Sequence, residues 1–189
     1  CDWSSDVCSS DLECRACGSS PCDMDPLREM SRKHGIRLIE DAAHAVGTAY
    51  KGRPVGSDAD VAVFSFHPIK NMTTGEGGMI LCGDAALAAR MRRLRFHGIS
   101  RDVWKRYSKG GTPQFEVDEP GFKYNMLDLQ AAIGLHQFAK LEGFNERRGE
   151  LAARYDELFS RVPEIRPLGR AAYPHRHAWH LYVVRLELE

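Results

Sequence analysis

The chain has no excess of charge of either sign. Across 189 residues, 26 Lys and Arg side chains oppose 26 Asp and Glu, so no net field recruits nucleic acid or an anionic membrane. The local basic run of Arg90, Arg92, Arg93 and Arg95 lies on an amphipathic pattern from Asp84 to Phe96. It reads as a solvated helix face, with a polyanion site as the sharper alternative. No apolar stretch approaches the length needed to span a bilayer, and the beginning lacks a signal peptide's charged and apolar regions. A cytoplasmic location is the default expectation. Internal repeats and low-complexity tracts are absent after residue 22. Cysteine is scarce there too, because five of the six fall in the first 22 residues.

Those five are Cys1, Cys8, Cys14, Cys17 and Cys22. The pair Cys14 and Cys17, with Cys8 and Cys22 nearby, has the outline of a zinc site or a disulfide framework. The opening C-D-W-S-S-D-V-C-S-S-D-L, however, resembles translated adapter read-through at the end of an environmental sequence assembly. Setting it aside removes Cys1 and Cys8 and leaves a poor metal site, so no metal is expected. Glu13 to Ser20 reads as a damaged or frame-shifted strand and loop. Residues 1–22 are accordingly expected to be a non-native, adapter-derived or damaged segment.

From Asp23 the pattern is orderly. D-M-D-P-L-R-E-M signals a helix in which Asp25 caps and Pro26 suits the first turn, running to Lys33 or His34 and closing at Gly35. Short buried strands are expected at Arg37–Ile39 and Val61–Phe66. A further strand, G-M-I-L-C-G, precedes a helix capped by Asp84. This alternation of helix and strand is that of a parallel α/β sheet. The stretch from Gly98 to Gly121 lacks periodicity and reads as a long loop. Apolar residues recur at helical spacing from Leu127 to Phe159, interrupted near Gly143. Pro163 and Pro167 then mark a passage to new structure, and H-L-Y-V-V-R-L-E-L-E alternates like a strand up to Glu189.

The stretch Ile39 to Gly78 concentrates the chemistry. I-E-D-A-A-H-A is followed one strand later by F-S-F-H-P-I-K-N-M-T-T-G-E-G-G. An acid, a hydroxyl and a lysine thus sit just past the ends of apolar strands, the edge at which open α/β sheets bind ligands. Lys70 is an amine able to form a Schiff base with a carbonyl cofactor where its surroundings favour the neutral form. Asp41 is suited to keep a pyridine nitrogen protonated, so that the ring draws electrons from a carbanion at the substrate. Ser65, with nearby backbone N–H groups, can serve a phosphate. The bland readings are a surface lysine, a surface carboxylate and a strand-end hydroxyl. The ordered set in its strand-end context favours the cofactor. His67 and His97 remain either packing or capping residues or sugar contacts. Gly75, Gly77 and Gly78 read as a turn, with a phosphate-cradling loop as the alternative; T-T-G-E-G-G lacks the P-loop lysine pattern.

These motifs, together with R-F-H-G-I-S-R-D, P-G-F-K-Y-N-M-L-D-L-Q-A-A-I-G-L and H-A-W-H-L-Y-V-V, resemble the DegT/DnrJ/EryC1/StrS family of sugar aminotransferases, in register from about Asp25 to Leu186. Within it they are most similar to the UDP-4-amino-4-deoxy-L-arabinose aminotransferase type, which aminates a UDP-4-keto-pentose in lipid A modification. The resemblance implies the aspartate aminotransferase fold, pyridoxal 5'-phosphate (PLP) as cofactor, and nucleotide-linked keto sugars as substrates. It places Lys70 on the Schiff-base lysine, Asp41 on the pyridinium partner, Ser65 on a phosphate ligand and His44 beside the cofactor ring. Many relatives carry glutamine where this chain has His44; both side chains can donate a hydrogen bond near the ring oxygen. Many also read G-Y-N-Y-R where this chain reads G-F-K-Y-N, and their asparagine reaches a phosphate across a dimer interface. Lys123 occupies that position here as a point charge, and Asn125 is placed to face the substrate.

The expected fold class is α/β: part of the three-layer large domain of a fold type I PLP-dependent transferase, plus the start of its small C-terminal domain. Residues 23–126 would form the large-domain part, 127–162 the connecting helices and 163–189 the small-domain start. Family members are about twice as long, so both ends are expected to be cut. The fragment by itself is expected to be inactive, with half its cofactor pocket missing and sheet edges bare. The implied reaction moves an amino group from an amino acid, glutamate by expectation, to the keto sugar, in a homodimer with shared active sites. Two rivals on this scaffold stay open, beside a third that makes the Cys-rich start a zinc-dependent binding module. One is a PLP-dependent sugar dehydratase, in which a histidine replaces the anchoring lysine, and Lys70 argues against it. The other is a non-catalytic ligand-binding or sensory member on the same scaffold.

Overall fold

A computed structural model describes residues 20–99, 109 and 116–187. Cys1, Cys8, Cys14 and Cys17, and positions 100–108 and 110–115 of the Gly98–Gly121 loop, lie outside the described residues. Packing divides the chain into two units, Cys1–Leu81 with Leu129–Glu189, and Cys82–Asp128.

The first unit begins with helix α1 (Met24–His34). Its N-cap is Asp23, not the anticipated Asp25, and that side chain makes no capping bond; it accepts instead from the Tyr50 hydroxyl at 2.5 Å. Asp25 sits inside the first turn, where it accepts from Arg28 and Lys51 and its charge suits the helix dipole. Gly35 closes the helix with φ 62°.

Strand β1 (Ile39–Asp41) begins two residues later than the apolar pattern implies. The amide of Leu38 is taken by the Asp60 carboxylate at 2.7 Å, so the ladder proper starts at Ile39. Strand β2 (Ala49–Tyr50) pairs antiparallel with β3 (Arg53–Pro54). Strand β4 (Val61–Ser65) runs parallel to β1 with Ile39 opposite Val61 and Asp41 opposite Val63. It lies between β1 and β5 (Gly78–Cys82) in the sheet order β1-β4-β5.

Helices α3 (Asp128–Phe138) and α4 (Leu141–Phe159) follow in this unit, after α2 (Ala85–Leu94), which belongs to the second unit. The break falls at residues 139–140, not at Gly143, which lies inside α4. Leu141, Asn145 and Ala152 are all buried on α4, at helical spacings that favour an unbroken helix through Gly143. Strand β6 (Ile165–Pro167) pairs antiparallel with β8 (Val184–Leu186), and β7 (His175–Arg176) joins β2. The alternating C-terminal run thus yields pairing only from Val184. Upstream, the Trp179 amide bonds to His177 Nδ1 at 2.8 Å with Trp179 at φ 51°, and Tyr182 turns onto Tyr155 and Phe159.

The second unit holds α2 (Ala85–Leu94), capped as anticipated: Asp84 accepts from the amides of Ala86 and Leu87. Arg90 pairs with Glu119 and Arg93 with Glu119 and Asp118, so two members of the basic run are balanced locally by two acids. Isolated bridges join Phe96 to Lys123 and Ile99 to Val117.

Candidate active site

Because β1 and β4 are parallel and in register, Asp41 and Ser65 leave the sheet at the same carboxyl edge. Beyond β1 the chain folds into consecutive tight turns, with Ala45 N–H bonded to Ala42 O and Thr48 N–H to Ala45 O. Ala42 and Ala45 are buried, and only small side chains permit so close a path. Asp41 Oδ1 accepts from the Ala43 amide at 3.1 Å, which orients the carboxylate at the start of the turn. The same turn presents His44, whose ring lies 4.4 Å from that of His180, centroid to centroid.

Past β4 the backbone closes on Phe66. The Phe66 amide bonds to Gly77 O, while Phe66 O accepts from both the Thr74 amide and the Thr73 hydroxyl. Lys70 sits in the loop so formed, with its own amide bonded to His67 O. His67 Nδ1 accepts from the Ile69 amide, so of its two readings the capping one is seen. Gly75 and Gly77 have φ of 81° and 143°, as a turn requires, and a Cβ at Gly78 would lie 2.6 Å from Phe64 O. The Ser65 hydroxyl accepts weakly from the His67 amide at 3.4 Å.

The electrostatics join these pieces. Burial lowers the Lys70 pKa, and the Asp41 carboxylate partly restores it. His180 is pushed down to about 4, first by burial and then by His44, Lys70 and Arg148, so its imidazole is neutral at pH 7. Asp41, His44, Lys70 and His180 therefore share one environment, in which a primary amine holds its proton less tightly than usual.

Asp41 lies near enough to Lys70 for its charge to act on it, His44 and Lys70 both act on His180, and Ser65 ends β4 at the same sheet edge as Asp41. Lys123 and Asn125 belong to the second unit. There the Lys123 ammonium donates to the Asn125 side-chain oxygen and lies 4.9 Å over the Phe96 ring. His97 is exposed in the same unit with φ 60°, its amide bonded to Phe122 O. Sequence reasoning missed His180. It stands in H-A-W-H-L-Y-V-V, but the alternation of that run reads as a strand and gives no hint of a partner at His44. Among the described residues, no group of three or more His, Cys, Asp or Glu is placed to hold a metal ion.

Comparison with known proteins shows the family and the fold. The DegT/DnrJ/EryC1/StrS aminotransferase family matches residues 16–189. The fold is similar to the aminotransferase TlmJ from Streptoalloteichus hindustanus, at 36% identity and a TM-score of 0.78, covering 90% of this chain and 44% of that one. It is also similar to Spr1654 from Streptococcus pneumoniae, assigned as a sugar aminotransferase and solved in its PMP form, at 31% identity and 0.77, covering 88% and 46%. A third similar structure is Helicobacter pylori PseC, an aminotransferase involved in the biosynthesis of pseudoaminic acid, at 30% identity and 0.77, covering 87% and 42%. The chain spans less than half the length of each. With a match across nearly all of its length and an architecture shared with fold type I PLP-dependent aminotransferases, the chain belongs to the DegT/DnrJ/EryC1/StrS aminotransferase family.

Proposed function

We propose that the complete protein is a PLP-dependent aminotransferase that moves an amino group from an amino acid, L-glutamate, onto a nucleotide-linked keto sugar used for cell-envelope or polysaccharide sugars. It works in the cytoplasm as a homodimer. The observation that carries this reading is the Lys70 amine, its proton affinity lowered by burial while the Asp41 carboxylate acts on it from the neighbouring strand end.

The residues present fit the cofactor of the family. Its aldehyde needs an amine with an accessible neutral form, which Lys70 supplies, and its ring nitrogen needs an acid, which Asp41 supplies at the same sheet edge. When bound, PLP supplies an electron sink that makes the donor's α-hydrogen acidic. Lys70 would hold the cofactor through its amine and, when freed, would serve as the base that moves the donor's α-proton. Asp41 would keep the ring nitrogen protonated, Ser65 would donate to the phosphate, and His44 would stand beside the cofactor ring. Lys123 serves a phosphate of the adjoining subunit as a point charge, and Asn125 faces the sugar. The same residues then act in reverse on the keto sugar.

The test is covalent capture in the complete protein. Borohydride reduction in the presence of PLP is expected to leave a stable adduct on the peptide containing Lys70, and amino transfer from glutamate to a nucleotide keto sugar is expected to disappear in Lys70→Ala. An adduct on another lysine, or full turnover without Lys70, would falsify the assignment.

A further inference from the structure

Next to Lys70 in the chain is Asn71, which is only 5% exposed, and on α4 lies Asn145, 3% exposed. Their side chains meet in the interior: Asn71 Nδ2 donates to Asn145 Oδ1 at 2.7 Å and to Ala178 O at 2.6 Å. Asn145 Nδ2 in turn donates to Val46 O at 3.1 Å. One amide pair therefore ties together three pieces of backbone. These are the loop holding Lys70, the turn holding His44 two residues before Val46, and the segment holding His180 two residues after Ala178.

The fit excludes alternatives. A Cβ at Gly47 would stand 2.1 Å from Asn145 Nδ2, so the glycine is what lets the amide reach the Val46 carbonyl. A buried primary amide is costly unless hydrogen-bonded. Leucine would fill comparable space without that cost, so simple packing does not account for two facing asparagines.

We propose that Asn71 and Asn145 are positioning residues for the amine at position 70: their bridge sets Lys70 in register with His44 and His180 and thereby governs how the cofactor is attached. This rests on the reading of Lys70 as the residue that bonds the cofactor. The bridge touches neither cofactor nor substrate; it acts through the backbone of the three segments it joins.

The experiment uses the complete protein, freed of cofactor and then mixed with PLP. Two quantities are followed: the rate at which a borohydride-reducible adduct appears on the Lys70 peptide, and the midpoint of the pH-dependent visible absorbance of the attached cofactor. Asn71→Ala and Asn145→Ala are each expected to slow attachment by about tenfold or more and to move the midpoint. The double variant should be slowed by less than the product of the two single effects, because the Asn71–Asn145 bond is lost in either single variant. Leu141→Ala removes buried volume from the same helix while leaving both amides, so it should lower stability yet keep rate and midpoint. If the alanine variants do not fold, Asn71→Ser, which keeps one donor on a shorter stem, should slow attachment by a smaller factor. Wild-type rates and midpoints in the asparagine variants, or equal effects in Leu141→Ala, overturn the proposal. A wild-type protein forming no Lys70 adduct overturns the Lys70 reading and the proposal together.

Discussion

At the scale of single residues, the site depends on groups whose charge is set by their surroundings. Asp41→Asn in the complete protein is expected to leave cofactor bound while slowing proton removal from the donor by about a hundredfold or more, measured by the loss of label from α-deuterated glutamate. An unchanged rate would make Asp41 structural. His180 carries a stability consequence. Its pKa in the fold is about 4, against an ordinary value near 6.5, so above pH 6.5 both folded and unfolded forms are neutral and nothing is lost. As pH falls from 6.5 towards 4 the unfolded chain takes up the proton first, and stability declines. The loss between pH 7 and pH 5 from this one group is about 2 kcal/mol. Urea midpoints for wild type and His180→Gln should show the variant's decline smaller by about that amount; parallel curves would refute the buried neutral imidazole. Lys70 and Asp41 stood out in sequence because each lies at or beyond the carboxyl end of a short apolar strand, whereas His44 stood out only through the family resemblance. His180 and Asn145 were not, since their partners lie more than a hundred residues away in one case and nearly so in the other.

At the scale of elements, two glycines show how context reverses the effect of one substitution. Gly47 has φ 86° and no room for a Cβ beside Asn145, so Gly47→Ala is expected to cost about 3 kcal/mol or more through backbone strain and the displaced amide. Gly143 lies within α4 with open space around it, and Gly143→Ala should stabilise by about 1 kcal/mol. Urea unfolding of both variants checks the opposite signs. Asp84→Ala on α2 removes the acceptor of two amides and should cost about 1 kcal/mol, with faster hydrogen exchange confined to the first turn. The Gly35 and Asp84 caps were readable because capping is local chemistry, whereas Asp25 gave way to Asp23 at the start of α1. The break between α3 and α4 was not: a glycine marks intrinsic weakness at position 143, whereas burial of Leu141 and Asn145 outweighs it.

At the scale of the whole molecule, the described residues leave much apolar surface in water. On α3, Leu129 is 78% and Leu135 75% exposed, and on β5, which ends the β1-β4-β5 order, Met79 and Ile80 are about half exposed. Unpaired strand edges and contiguous apolar faces favour association. The 189-residue chain by itself is expected to self-associate at micromolar concentration in sedimentation velocity, and Leu135→Lys with Ile80→Lys should shift it towards monomer. A wild-type chain that stays monomeric would count against this. From sequence alone came the alternation of helix and strand, the Gly35 and Asp84 caps, and the lysine and acid at strand ends, because these follow from bonding and periodicity within a few residues. Tertiary structure alone decided that His180 faces His44, that two distant asparagines share a buried bond, and that Lys70 is a weakened base. Burial and pairing energies depend on which distant segments meet, and no local pattern carries that information.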